Sequence, residues 1–261
     1  MKATFITLLL TLTIFTTQAQ DGFFLGVSGH GGASFIINQN SYGFIRQPDY
    51  KLTAGYGGNF RLGYMITKVS GLQAEIGIQK GGQYYDDDFR FTGGTNPINF
   101  KKQINMTYLT ASIAYRMSFA KKKHFSRQMQ KTRFSLVAGF EGGLLTNASH
   151  KVLINDQEYT NFPSVNNNII EIILNQALNI SNYDKYERPE NDKDFFQKVF
   201  LGVTIQPGID YYFNKNMFIN VSLRNSLLLT DINADEFREH NGYGASRKYN
   251  IGLQFGFGYT F

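Results

Sequence analysis

The stretch Tyr249-Asn250-Ile251-Gly252-Leu253-Gln254-Phe255-Gly256-Phe257-Gly258-Tyr259-Thr260-Phe261 decides the fold. Its odd positions are all aromatic or aliphatic, and its even positions are all glycine, amide or hydroxyl. Successive side chains of an extended strand point to opposite faces, so this alternation gives one wholly apolar face and one polar or empty face.

The same register can be read seven more times. One strand runs from about Phe23 to Ile37, and the next carries Leu52, Ala54, Tyr56, Phe60, Leu62, Tyr64 and Ile66 on one face. Leu72, Ala74, Ile76 and Ile78 form a third set, and Leu109, Ala111, Ile113, Tyr115, Met117 and Phe119 a fourth. Phe134, Leu136, Ala138, Phe140 and Leu144 make a fifth, and Val199, Leu201, Val203, Ile205, Ile209 and Tyr211 a sixth. Ile219, Val221, Leu223, Leu227 and Leu229 make the seventh. Eight is an even number, as a closed antiparallel sheet in a bacterial outer membrane requires.

Two exported, closed, eight-stranded architectures share this period, a soluble calyx and a membrane barrel. A calyx fills its inside with apolar side chains. Here the minority face holds Arg61, Glu75, Arg116, Glu141, Asp210 and Arg224 among Gly, Ser, Thr and Gln. Turned outward, these charges would stand singly between large aliphatics; turned inward, three cations meet three anions. Lipid offers backbone groups no hydrogen bonds, so a closed sheet with its apolar face outward is the solution. The sequence therefore predicts an all-β, closed eight-stranded antiparallel outer-membrane barrel with short periplasmic turns and long extracellular loops.

The connections agree in their alternation. Those near 67–70 and 214–217 are short, and those at 86–103, 147–197 and 230–248 are long; 120–133 is longer than a tight turn. Phe23, Tyr64, Tyr115, Phe119, Tyr211, Phe213, Tyr259 and Phe261 lie near strand ends, as interfacial girdles do. Phe257, Tyr259 and Phe261 resemble the C-terminal signal that the barrel-assembly machinery of Gram-negative bacteria recognises.

Composition fits the same class. Phe 24 and Tyr 16 make 15% of 261 residues against 18% charged, too aromatic for a disordered chain and too weakly charged for an ordinary soluble surface. The absence of cysteine excludes disulfide staples, thiolate metal sites and a cysteine nucleophile. Residues 1–20 have the layout of a cleaved signal peptide: Lys2, an apolar run from Phe5 to Phe15, then a polar segment with Thr17 and Ala19 before a cut near Gln20. The apolar run is shorter than the roughly 20 residues a spanning helix needs. The mature barrel domain is then 21–261.

The chemistry these residues offer is limited. With eight strands the lumen is just wide enough for side chains to fill it, so the six inward charges are read as a salt-bridged plug. Ser28 and His30 share a strand face but have no acid to orient the imidazole, and Gly26-Val27-Ser28-Gly29-His30 departs from a nucleophile elbow at its last position. His124, His150 and His240 make no metal set. Gly29 to Gly32 and Gly55 to Gly58 sit within strands and serve close backbone approach. Asp86-Asp87-Asp88 is expected to open a loop as an exposed acidic run, with a divalent-cation site as the alternative. Ile169, Ile170, Ile173, Leu174, Ala177 and Leu178 recur at helical spacing after three asparagines, predicting a short helix over 166–180 in the longest loop. No catalytic group, cofactor or metal is expected.

A family resemblance follows from these segments. Leu72-Gln73-Ala74-Glu75-Ile76-Gly77-Ile78-Gln79-Lys80-Gly81-Gly82, Tyr108-Leu109 leading to Tyr115, Leu136 through Gly139 to Gly143-Leu144, and the closing Gly252 to Phe261 resemble the PorT-like outer-membrane β-barrel family. The resemblance covers most of the mature chain and implies the barrel fold. Proline often follows the Tyr-Leu pair in that family, whereas Thr110 and Ala111 follow it here. The name-giving member takes part in a secretion and gliding apparatus, so an accessory role in such an apparatus is the function implied.

The expectation is thus a non-enzymatic envelope or interaction protein of the cell outer membrane, with a narrow pore second and an envelope-lipid enzyme third. The net charge of +6 does not point to nucleic acid once its places are known. The span 147–197 holds eight acids and four bases, whereas Lys121, Lys122, Lys123, Arg127, Lys131 and Arg133 form a periplasmic basic cluster without an acid. That connection, 120–133, is expected to meet anionic headgroups or a periplasmic protein. The loop 147–197 is the other expected partner surface, beside outer-membrane lipid and the assembly machinery.

Overall fold

The computed structural model describes residues 22–37, 50–67, 69–89, 98–119, 131–158, 191–235 and 245–261. The segment 1–20, the helix expected over 166–180 and the cluster from Lys121 to Arg127 lie outside the described residues. The strands are β1 (Phe23–Ile37), β2 (Tyr50–Lys51), β3 (Thr53–Met65), β4 (Ser70–Phe89), β5 (Ile98–Phe119), β6 (Thr132–Ile154), β7 (Gln157–Glu158), β8 (Val199–Tyr212), β9 (Met217–Leu228) and β10 (Arg247–Thr260). Eight are long. Each pairs antiparallel with its neighbours in chain order, and β1 pairs with β10 from Phe24 opposite Thr260 to Ile37 opposite Arg247, which closes the barrel.

The outward face carries what the alternation predicted. Ile113 and Phe140 are a cross-strand pair, 71% and 74% exposed, in the middle of an apolar band that includes Ile76, Leu201, Leu253 and Phe255. No core could leave such side chains uncovered in water, so lipid is the solvent that satisfies them.

Three connections differ from expectation. β4 and β5 continue through most of 86–103, leaving only 90–97 between them. The acidic triplet therefore does not open a loop: Asp86, Asp87 and Asp88 lie opposite Lys101, Phe100 and Asn99 on paired strands. The Asn99 amide donates to Asp86 Oδ1 at 3.3 Å and to Asp88 Oδ1 at 2.9 Å. Likewise β6 runs on past Asn147 to Ile154, so the loop expected from 147 begins eight residues later. A two-residue turn follows, with Asn155 at φ 50° and Asp156 at φ 63°, the left-handed pair that a tight hairpin needs, and it leads into β7. Arg133 is the third correction. It is already inside β6 with its side chain turned to the lumen, where its guanidinium carbon lies 4.8 Å from the Tyr212 ring centre, so it leaves the periplasmic basic cluster. Lys131 remains exposed beside it.

Extension of β4, β5 and β6 raises a wall above the rest of the barrel, with β2 and β7 pairing on its two edges. Along this wall the faces exchange character. On β5 the outward residues are Phe119, Tyr115, Ile113 and Leu109, then Thr107, Asn105, Gln103 and Lys101; the inward ones are Ser118, Arg116, Ser112 and Thr110, then Tyr108, Met106 and Ile104. The switch falls between Leu109 and Tyr108. On β6 it falls at Leu144 and Leu145, next to a bulge where Thr107 and Tyr108 pair with Asn147 and Leu145 and Thr146 is the extra residue.

Candidate functional site

The lumen is filled in three levels. The lowest is aromatic: Phe24 and Phe218 are buried with ring centres 5.9 Å apart, and Tyr212 lies 5.2 Å from Phe218. Gly63 and Gly258 are sockets for these rings, since a Cβ at either would come within 2.3 Å of the Phe24 or Phe218 ring. Arg116 stacks over Phe24 at 5.2 Å, a favourable contact for a cation over an aromatic face.

Above it the predicted charges meet. Arg61, Glu75, Arg116, Glu141, Asp210 and Arg224 are all buried, at 0–4% exposure, and come from six different strands. Arg224 bridges Glu75 at 2.5 Å and Glu141, and Arg116 pairs with Asp210. Arg61 makes no ion pair among the described residues. It donates to Asn220 Oδ1 at 3.1 Å, and the Asn220 amide in turn donates to Asp210 Oδ1 at 2.7 Å. Amides join the pairs into one network: Arg116 donates to Gln73 Oε1 at 2.7 Å, Gln73 to Glu75 Oε1 at 2.7 Å, and Gln206 to Glu75 Oε2 at 3.4 Å. Gln254 donates to Gln206 Oε1 at 3.2 Å, and Ser226 to Glu141 Oε1 at 3.0 Å. Three cations and three anions thus balance with their hydrogen bonds largely met, the condition under which buried charge is tolerated. A Cβ on Gly256 would lie 1.7 Å from Arg61 Nη2, so that glycine makes room for the guanidinium.

The highest level is apolar. Ile36, Ile104, Met106, Tyr108, Ala148, Phe196, Phe200, Leu228 and Ile232 form one buried cluster, with Tyr108 and Phe200 edge to face at 4.9 Å. Two loop segments lie over it. A 3-10 turn at Asp192–Phe195, capped by Asn191, leads to Phe196, and backbone bonds from Gln197 to Ile232 and from Ala234 to Phe195 tie it to the segment 231–234. The His150 N–H donates to Asp192 Oδ2 at 2.9 Å, and its ring packs 5.1 Å from Phe195.

The other expected sites do not assemble. Ser28 Oγ and both ring nitrogens of His30 are buried without a hydrogen-bond partner among the described residues, so the two do not meet as a nucleophile and base pair. The imidazole instead lies against Gly57, 2.6 Å from where a Cβ would stand. Among the described residues no group of three His, Cys, Asp or Glu side chains is placed to hold a metal ion. Phe257 and Tyr259 face outward as predicted, and Phe261 packs beside Tyr259 at 5.1 Å and Phe23 at 5.9 Å, so the carboxyl end seals the β1 and β10 seam.

Two buried cations were absent from the expected set. Lys102 and Lys248 face inward at 4% and 0% exposure. Their signal was present in the strand period, since Lys248 shares the inward face of Asn250 and Gln254.

Residues 7–261 match the model of the outer membrane protein beta-barrel domain. The chain belongs to that family. Its place is the outer membrane, and its fold is the closed eight-stranded barrel of that family. Solved structures similar to it include Neisserial surface protein A, with 9% identity over 92% of this chain and 96% of that one at a TM-score of 0.38. OprG of Pseudomonas aeruginosa shares 11% identity over 94% and 99% at 0.35. Ail, the attachment invasion locus protein of Yersinia pestis, shares 10% over 92% and 99% at 0.37. No curated protein matches the chain.

Proposed function

We propose that this protein is a non-enzymatic envelope protein that acts through surfaces at the two ends of its barrel rather than through its bore. The filled lumen carries this reading. Aromatic rings occupy the lower end, a balanced ion network the middle, and an apolar cluster under two loop segments the top. A conducting path would have to displace side chains that are almost all buried and bonded to one another. The missing contact between Ser28 and His30 supports the absence of hydrolytic chemistry.

The PorT-like resemblance of the strands makes a secretion or gliding apparatus the first class of partner. The loop within 147–197 and the connection 120–133, now without Arg133, are the surfaces proposed to meet it. Purified protein in planar bilayers is expected to show no steady single channels, and steady channels would replace this reading with the narrow pore. Affinity capture from intact membranes is expected to retrieve envelope proteins, and to lose them when 166–181 is deleted or when Lys121, Lys122, Lys123, Arg127 and Lys131 are neutralised. Capture unchanged by both variants would count against the two surfaces.

A further inference from the structure

We propose that Lys248 holds a small monovalent inorganic anion inside the upper lumen, between the ion network and the apolar cluster. Lys248 is fully buried, and its ammonium has no hydrogen-bond partner among the described residues. Its contact is the face of Tyr108, 4.8 Å from the ring centre. Cation and ring attract, but a ring face supplies no acceptor for three N–H donors.

Among the described residues, the three carboxylates of the network are already engaged. Arg61, Arg116 and Arg224 already match Glu75, Glu141 and Asp210 in number. Both oxygens of each acid accept from other groups: Asp210 from Arg116 and Asn220, Glu75 from Gln73, Gln206 and Arg224, and Glu141 from Ser226 and Arg224. None of the three makes an ion pair with Lys248. Lys248 is therefore an unpaired cation among the described residues, and an isolated buried ammonium is among the most unfavourable groups a fold can carry.

A second polar group on the same inward face is also free of partners among the described residues. Asn250 follows two residues along that face and is 8% exposed, with both amide atoms unpartnered among the described residues. The adjoining cross-strand pair, Gly32 opposite Gly252, places no side chain into the lumen next to this amide. The size of the ligand is limited from above, where Ile36, directly opposite Lys248, packs with Tyr108 and Leu228. An ammonium and an amide N–H under an apolar roof suit a compact, singly charged ion that is shed easily from water. Chloride is the abundant ion of that kind.

The full mature chain in detergent micelles is the material for the test. At fixed ionic strength and pH, exchange of bulky gluconate for chloride or bromide is expected to raise the thermal midpoint of unfolding. An anion present at ten times its dissociation constant shifts the folding equilibrium roughly eleven-fold. Lys248→Met is expected to abolish this dependence and Lys248→Arg to keep it. Bromide-soaked crystals of the unmodified protein give a check that needs no variant, with an anomalous peak expected beside Nζ. A wild-type midpoint indifferent to the anion, or a Lys248→Met variant as responsive as wild type, would overturn the proposal. A bromide map empty at Nζ would do the same, and would mean that water or a neutral amine resolves the charge.

Discussion

Two halves of one strand obey opposite rules. Below Leu109, β5 has Ile113 and Tyr115 outside and Ser112 and Arg116 inside; above Tyr108 it has Asn105 and Gln103 outside and Met106 and Ile104 inside. The backbone is continuous and the pairing with β4 unbroken through the change. What differs is the medium on the outer face. Where lipid bathes it, apolar side chains go outward and the bore takes the polar ones. Where water bathes it, the wall needs an apolar inside like that of any soluble sheet. The level of Leu109, Leu144 and Val199 therefore reads as the outer edge of the hydrocarbon, and the adjoining Tyr108, Leu145 and Phe200 as the floor of an extracellular domain.

The comparison can be broken at its most expensive point first. Arg224→Met leaves Glu75 and Glu141 buried and uncompensated, and is expected to cost about 3–5 kcal/mol. The loss should show as a lower urea midpoint in micelles and be partly recovered by adding Glu75→Gln and Glu141→Gln. In the upper half, Met106→Ala removes a fully buried side chain at an expected cost of about 2–5 kcal/mol. The disturbance should stay local, with faster hydrogen exchange at 192–197 and 231–234 and the amides of the lower barrel unchanged. On the lipid face, Phe140→Lys near the middle of the band is expected to cost about 2–4 kcal/mol. The same charge on the same kind of outward face above the switch, Gln103→Lys, should stay within about 0.5 kcal/mol. Equal effects of these last two, in the same urea titration, would show that the outer face does not change medium at Leu109.

Much of this was legible in the residues. The alternation at Tyr249 to Phe261 gave strand type and face, its recurrence in eight segments gave the closed sheet, and the six inward charges were named from their register alone. The exchange of faces was legible too, but in a form that a search for one phase passes over. Adjacent apolar pairs, Tyr108 with Leu109, Leu144 with Leu145, Val199 with Phe200 and Leu227 with Leu228, mark where the inward and outward sets trade character. Expecting a single phase began β5 at Leu109 and turned Asn99 to Gln103 into loop. It also hid Tyr108, Met106 and Ile104, because their parity matched the polar face of the lower strand.

The partners within the network were not legible. That Arg224 takes two carboxylates, that Arg116 takes Asp210 and that Arg61 is left to Asn220 depends on which strands face one another across the bore. Residues 149 apart in the chain meet there. Closure and shear set that distance, and no local pattern encodes it.

The sequence by itself determined that this chain is a barrel, which face meets lipid and that Arg61, Glu75, Arg116, Glu141, Asp210 and Arg224 lie inside, because the two-residue period of a strand is a local property. Only the tertiary structure decided that rings gather at the lower end of the bore and an apolar cluster at the upper, and that Lys248 stands without a hydrogen-bond partner among the described residues. Those outcomes depend on which side chains share a small enclosed volume, and in a barrel the occupants of that volume come from every part of the chain.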